Sequence, residues 1–178
     1  MATSSYPPNP PHHPPNSALS SDIGSGLNRL TTSQLKVIYE TDYLEWLSLT
    51  IAQLKAAKFE QIDQEHLLEE LEDLGREQRR KVDSYLRQLL IHLLLYTYWQ
   101  TEKDYCARGW ESEIDNFRFE LELLLKSKTL YNYFLEEINI IYPKARKQAL
   151  KKTLLPPEII PQLCPFTPHQ LLDTDFFP

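Results

Sequence analysis

The stretch from residue 63 to residue 99 constrains the fold more than any other part of the chain, because its apolar residues recur at steps of three and four. That spacing places the side chains on one face of an α-helix, and a long apolar face has to be covered by other helices. The repeat consists of Leu67, Leu71, Leu74, Gln78, Val82, Tyr85, Leu89, Leu93 and Tyr96. The sequence therefore predicts an all-α helical bundle with one unusually long helix over about 63–99. Gly75 is a poor helix former, but the apolar repeat continues across it without a slip. This favours one helix bent near Gly75 over two shorter helices.

The rest of the chain predicts a bundle of four to five main helices. An N-cap at Asp42 opens a helix whose apolar stripe is Leu44, Leu47, Ile51 and Leu54. A loop at 100–109, a helix at 110–126 and a helix at 131–142 follow, and Pro143 either kinks that last helix or begins another. Thr167, Pro168 and Gln170 predict the start of a short C-terminal helix. We expect residues 35–178 to form a single all-helical domain and the proline- and serine-rich residues 1–34 to be a disordered extension.

The composition excludes several classes of function. The chain has only four glycines, and phosphate-cradling loops need glycine. Its two cysteines lie far apart in the sequence, without a zinc-binding spacing, and its net charge is −6. No run of about 18 apolar residues indicates a membrane span, and the N-terminus lacks the features of a signal peptide. We therefore expect a cytoplasmic protein with no catalytic motif, no cofactor and no metal site.

Two histidines stand out. His66 follows Asp63 and precedes Glu69 and Glu70 at helical spacing, which permits metal ligands or an acid–base pair, although a solvated acidic first turn explains the same residues. His92 lies in the apolar run LLIHLLLY. A buried imidazole needs a hydrogen-bond partner. His92 is therefore either a satisfied polar residue of the core, or a ligand in a pocket or a pH-sensitive switch. The candidate pocket residues are His92, Trp110, Tyr96 and Arg108, which alternatively close one end of the core.

The charges of the long helix change sign along its length. The acidic residues Glu69, Glu70, Glu72 and Asp73 precede the basic residues Arg76, Arg79, Arg80 and Lys81. This pattern is typical of a salt-bridged exposed surface, and it also suits dimer formation, because an antiparallel partner would place its acidic half against this basic half. We take Glu69, Glu70, Glu72, Asp73, Arg76, Arg79 and Arg80 as the candidate interface. A second basic segment, 144–152, could contact phosphates, but the acidic net charge makes nucleic acid an unfavourable partner.

Five blocks of sequence resemble a known family in both order and spacing. They are YETDYLEWL, LLEELEDLGREQRRKVDSYLRQLLIHLL, RGWESEI, YPKARKQAL and CPFTPHQLLDTDFFP. Over about residues 38–178 the chain resembles the bacterial domain-of-unknown-function family twenty-nine. The resemblance implies an all-helical fold in a cytosolic bacterial protein with no established activity. The positions that match the recurrent pattern of the family are Asp42, Trp46, Glu70, Gly75, His92 and Trp110.

We interpret the chain as a non-enzymatic helical interaction or assembly module that binds a protein partner or itself, with homodimer formation through the long helix. Two alternatives stay open. One is an enzyme or a metal- or ligand-binding protein that uses the neighbourhood of His66, Glu70 and His92. The other is a nucleic-acid-binding accessory protein that uses the basic segment 144–152.

Overall fold

A computed structural model describes residues 30–178, and these residues divide into two compact units that meet between Glu70 and Leu71. The described residues form six α-helices and one 3-10 turn: α1 (Thr32–Thr41), α2 (Tyr43–Lys55), η1 (Phe59–Gln61), α3 (Gln64–Tyr98), α4 (Gln100–Leu125), α5 (Lys128–Thr153) and α6 (Pro168–Leu172). The all-α class, the long helix and the short C-terminal helix are confirmed. Most of the predicted N-terminal extension, residues 1–29, lies outside the described residues, and the expectation of a single domain stays a prediction.

The described part of the N-terminal unit starts with a helix that the sequence analysis did not predict. Thr31 caps α1 with a capping box, in which the Thr31 hydroxyl accepts from the backbone N–H of Gln34 and the Gln34 side chain accepts from the N–H of Thr31. Asp42 then ends α1 and caps α2, because its carboxylate accepts from the N–H of Glu45 at 3.0 Å. Residues 32–34 are therefore helical rather than part of the predicted extension, because a local cap stabilises a helix start without any apolar repeat.

The buried face of α2 differs from the predicted one. Trp46, Thr50 and Gln53 are buried, whereas Leu44, at the start of the predicted stripe, is 71% exposed. The rings of Tyr39 and Tyr43 pack on Trp46 at centroid distances of 4.9 and 5.8 Å. A buried tryptophan removes more apolar surface from water than a leucine does, and it forms favourable edge and stacking contacts. The aromatic cluster therefore sets the orientation of α2, and the stripe prediction was wrong.

Helix α3 runs through Gly75 without a break, which confirms one long helix over the range that the repeat predicts. Its C-terminal half is buried as expected, through residues that include Val82, Leu86 and Leu89. Its N-terminal half is not, since Leu68, Leu71 and Leu74 are 60%, 56% and 58% exposed. The apolar repeat therefore continues past the part of α3 that the other described helices cover.

The core of the C-terminal unit is formed by residues from α3, α4, α5 and the C-terminal segment. Its fully buried members include Leu90, Leu93 and Leu94 of α3, Ile114 and Leu121 of α4, Phe134, Ala145 and Ala149 of α5, and Leu171 of α6. The two alanines permit close packing along α5, because a small side chain lets neighbouring elements approach. None of the described helices combines the length and the apolar character that a membrane crossing requires.

Two predicted breaks in the C-terminal unit are absent. The residues expected to form a loop, 100–109, belong to α4, and the chain reverses at Trp99 alone. Helix α5 continues from its N-cap at Ser127 through Pro143 to Thr153, so of the two possibilities left open at Pro143 the one with a new helix is wrong. A proline removes a single backbone donor, and packing on both sides of Pro143, through Tyr142 and Ala145, holds the helix together across the lost hydrogen bond.

Candidate functional site

The surface of α3 between Leu68 and Lys81 carries the candidate interface residues. Helical geometry, at about 100° per residue, places Leu68, Leu71 and Leu74 within an arc of about 120°; we call these three residues the leucine stripe. Glu72 and Arg79 flank the stripe on one side. Glu69 and Arg80 lie at about 160–180° from Leu71, on the opposite face. The candidate interface residues are therefore divided between two faces of the helix, a distinction that charge order alone did not give.

Within α3 the charges form local ion pairs on an exposed surface. Arg76 contacts Asp73 and lies 3.2 Å from Glu72, and Lys81 lies 2.8 Å from Glu77. Pairs of this kind are worth a few tenths of a kcal/mol each and exchange readily for other partners. The charged side chains of this surface are therefore paired with one another, but so weakly that a charged group of another molecule can replace these partners.

Glu70 has a different role from the other acidic residues of the candidate interface. Its two carboxylate oxygens accept hydrogen bonds from the hydroxyls of Tyr39, at 2.7 Å, and Tyr43, at 2.9 Å. The bond to Glu70 raises the pKa of the Tyr39 hydroxyl well above its usual range, with burial adding to the effect. Both tyrosines therefore stay protonated as donors, and Glu70 holds α1 and the start of α2 against the first turns of α3.

His66 is fixed by two contacts inside the N-terminal unit. Its Nδ1 lies 2.5 Å from Oδ2 of Asp63, a carboxylate that is 1% exposed. Its ring stacks on the ring of Tyr39 at a centroid distance of 3.9 Å. A carboxylate at one ring nitrogen orients the imidazole and favours the tautomer with its proton on that nitrogen. No group of three or more His, Cys, Asp and Glu side chains among residues 30–178 is arranged to hold a metal ion.

His92 lies in the C-terminal unit and has the hydrogen-bond partner that its apolar surroundings require. Its Nδ1 lies 2.8 Å from the carbonyl oxygen of Gln88, and because a carbonyl only accepts, Nδ1 carries the proton. The ring is partly buried and lies 5.4 Å from the ring of Phe117. His66 and His92 therefore belong to different units, and each is anchored by partners of its own.

The remaining pocket candidates surround the turn between α3 and α4. Trp99 and Trp110 stack at 5.9 Å, and the Tyr96 hydroxyl donates to Glu111 at 2.9 Å. The Tyr96 ring also contacts the ring of Phe177 at 5.7 Å and the ammonium of Lys103 at 3.7 Å. Arg108 is exposed. This arrangement is typical of aromatic residues that close one end of a helical core.

A polar cleft of about 230 Å³ lies between α3 and α5 and is lined by residues of both helices. The sequence analysis did not identify it. Its charged lining residues are Arg80, Asp83, Arg87, Glu137 and Lys144. The hydroxyl of Tyr133 donates to Asp83 at 2.9 Å, and burial together with this bond raises the pKa of Tyr133 to about 12. Burial, with the nearby Asp83 carboxylate, also raises the pKa of Glu137. Lys144 is the one residue of the basic segment 144–152 that lines this cleft.

Comparison with protein families matches residues 38–177 to the family described as Domain of unknown function DUF29. The match covers residues 38–70 of the N-terminal unit and residues 71–177 of the C-terminal unit. The chain belongs to this family. Comparisons of the DUF29 chain with curated proteins and with solved structures found no match. The family description names no activity, and the residues of the DUF29 domain itself have to support any proposal about function.

Arg118 is a buried charged residue of the DUF29 domain that the sequence analysis did not identify. It is 2% exposed, and its guanidinium donates to the carbonyl oxygens of Leu171 at 3.1 Å, Gln170 at 3.2 Å and Phe176 at 2.7 Å. Burial lowers the pKa of the guanidinium from its usual value. One signal was present in the sequence, because Arg118 lies at core spacing between Ile114 and Leu121 on α4. The three acceptors lie too far along the chain to be inferred from local pattern.

Proposed function

We propose that this DUF29 domain is a non-enzymatic helical interaction module that forms a homodimer through the exposed surface of α3. The observation that carries the proposal is the leucine stripe, whose three side chains are each more than half exposed in one line along a helix. Scattered exposed leucines are ordinary on a soluble surface, but a line of them at helical spacing is the pattern by which one helix docks on another. We further propose that the module works in the bacterial cytoplasm, which the two free cysteines support.

The charges beside the stripe support a protein partner over a lipid or nucleic-acid partner. Acidic and basic residues alternate in blocks along the same helix, and the net charge of the chain is −6. A surface that binds phosphates is usually dominated by cations. A surface with both signs in separate blocks is complementary to another surface with the same blocks in reverse order.

The test of this proposal is the mass of the purified full-length chain in solution, measured by sedimentation velocity over a range of concentrations. We expect a dimer for the parent protein and a monomer for Leu71→Glu, because a charge in the centre of the stripe would be desolvated on association. Leu123→Glu is the matched control, since Leu123 is an exposed leucine on α4; this variant should remain a dimer. A parent protein that stays monomeric at every concentration overturns the proposal.

A second candidate function, an acid–base or ligand-binding site, is favoured by the contact between Asp63 and His66. A buried carboxylate that orients an imidazole is the arrangement that prepares the second ring nitrogen for proton transfer or ligand binding. Glu70, four residues further along α3, is occupied by Tyr39 and Tyr43. This candidate predicts a reproducible metal or small-molecule adduct in the native mass spectrum of the parent that disappears in His66→Gln. Identical spectra without an adduct would remove it.

Nucleic-acid binding through the segment 144–152 has less support. Arg146 donates to the carbonyl of Ile160 at 2.9 Å and also to that of Pro157, so its guanidinium is used within the fold. Lys144, Lys147, Lys151 and Lys152 are exposed. Binding by these lysines would weaken steeply as salt is added, and absence of salt-sensitive binding to duplex DNA or RNA rejects this alternative.

A further inference from the structure

We propose that the homodimer is antiparallel along α3, with its two-fold axis passing between Leu74 and Gly75. This inference rests on the proposed function and adds the geometry of the contact. The exposed face offers Leu71, Leu74, Gly75 and Gln78 within an arc of about 100°. A symmetric dimer uses the same patch on both copies. In an antiparallel dimer this face therefore has to fit a second copy of itself that runs in the opposite direction.

The four residues of this face are spaced symmetrically about a point between residues 74 and 75. Leu74 and Gly75 are adjacent to the axis, and Leu71 and Gln78 are equally distant from it. In an antiparallel pair, Leu71 then lies opposite the partner's Gln78, and the two copies of Leu74 meet near the axis. Gly75 is helical, and no atom of the described residues 30–178 lies within 4 Å of where its side chain would be, apart from its own neighbourhood in the helix. A glycine at this point allows the two helix backbones to approach closely.

The flanking charges favour the antiparallel orientation. Glu72 and Arg79 lie on the same side of the stripe, and the two-fold axis keeps them on the same side of the interface. Glu72 and the partner's Arg79 are then offset by about 3 Å along the helix axis, and the two side chains are long enough to bridge this offset. The contact occurs twice by symmetry. In a parallel pair, the acidic half of each helix would lie beside the acidic half of the other, and the basic halves would likewise meet.

The existing contacts of these residues leave this pairing accessible. Glu72 pairs within its own helix with Arg76, at 3.2 Å, on an exposed surface where exchange of partners is inexpensive. Arg79 lies 5.4 Å from the ring of Tyr133 and has no ion pair within its described surroundings. Glu70 is held by two tyrosine hydroxyls. The pair of Glu72 and Arg79 is therefore the one that should decide the register.

A charge swap tests the register. Arg79→Glu should raise the dimer dissociation constant by about tenfold, because two symmetric attractions become repulsions. The double variant Glu72→Arg with Arg79→Glu should return the constant to near the parent value, because the pair is restored with its signs exchanged. Arg80→Glu alone, and the swap of Glu69 with Arg80, are matched controls with the same charge changes on the opposite face. They should leave the constant unchanged.

Disulfide cross-linking tests the orientation independently. In a background with Cys106 and Cys164 replaced by serine, Leu74→Cys should form a disulfide-linked dimer on mild oxidation. Leu71→Cys should not, because its two copies would lie about 10 Å apart along the helices. A parallel pair would cross-link at both positions, since each residue would then meet its own copy. Cross-linking of both variants therefore overturns the antiparallel arrangement.

The outcomes separate this inference from the proposed function. A dimer that shows no rescue by the charge swap and no cross-link at Leu74→Cys has a different contact geometry, so the register is wrong while the homodimer stands. A chain that is monomeric in every experiment removes both. Gly75→Ala provides one more distinction, because it should weaken the dimer, whereas Gly109→Ala, at an equally open helical glycine on α4, should not.

Discussion

Replacing Arg118 by methionine tests how the C-terminal segment is held to the helical bundle. The arginine guanidinium makes three hydrogen bonds to backbone carbonyls of residues 170–176, and the side chain is nearly inaccessible to water. Methionine keeps most of the length of the side chain but donates nothing. The substitution therefore removes the donors while limiting the change in packing.

The magnitude follows from opposing contributions. Hydrogen bonds to a charged group contribute about 1.5–3 kcal/mol each, so three of them amount to roughly 4.5–9 kcal/mol before other terms. Burial of the guanidinium opposes folding by several kcal/mol, in agreement with the lowered pKa of Arg118. The methionine variant carries no charge and does not have this desolvation penalty. The freed carbonyls can also turn to water if the segment detaches. We expect a net loss of about 3 kcal/mol in the free energy of unfolding.

The assay is equilibrium unfolding in urea, together with digestion by a carboxypeptidase under native conditions. Arg118→Met should unfold at lower urea concentration and lose its C-terminal residues faster, because residues 170–176 are held less firmly. Arg108→Met is the control, since Arg108 is exposed on the same helix; it should change the free energy of unfolding by less than about 0.5 kcal/mol. If Arg118→Met matches this control in both assays, the account of the C-terminal anchor is wrong.

Three further predictions concern other parts of the fold. Burial raises the pKa of Tyr142 to about 12, so the stability that depends on its protonated hydroxyl should be fully present below pH 10 and be lost as the pH rises through about 12. The melting temperature of Tyr142→Phe should therefore fall less steeply at alkaline pH than that of the parent protein, and an equally steep fall would contradict this. Gly109→Ala should raise the free energy of unfolding by about 0.5–1 kcal/mol, because Gly109 is helical and the part of the chain that the structure describes leaves the space within 4 Å of the added carbon open. A lower free energy of unfolding in urea would refute the helical assignment at Gly109. Thr167→Ala should cost about 1 kcal/mol and speed hydrogen exchange in α6, because Thr167 caps this helix with its hydroxyl; unchanged exchange would show that packing alone holds α6.

The features that depend on nearby residues were accessible from the sequence. The repeat over 63–99 predicted α3, and the group of Thr167, Pro168 and Gln170 predicted α6 with its capping box. Both depend on interactions between residues a few positions apart. The loop predicted at 100–109 was wrong because a polar composition does not exclude a helix, and these residues are helical although none of them is buried. The possibility of a new helix at Pro143 was wrong because packing of Tyr142 and Ala145 compensates for the local weakening that a proline causes.

The sequence by itself determined the all-α class, the length of α3 and the positions of several caps, because helical periodicity and capping are local. Only the tertiary structure decided which faces are covered. Leu71 and Leu74 continue the same repeat as Leu89, yet they are exposed, because burial depends on whether another element lies opposite. Arg118 is buried for the converse reason, since three carbonyls from a distant segment accept hydrogen bonds from its Nε and Nη2 and replace part of the water that a charge otherwise requires.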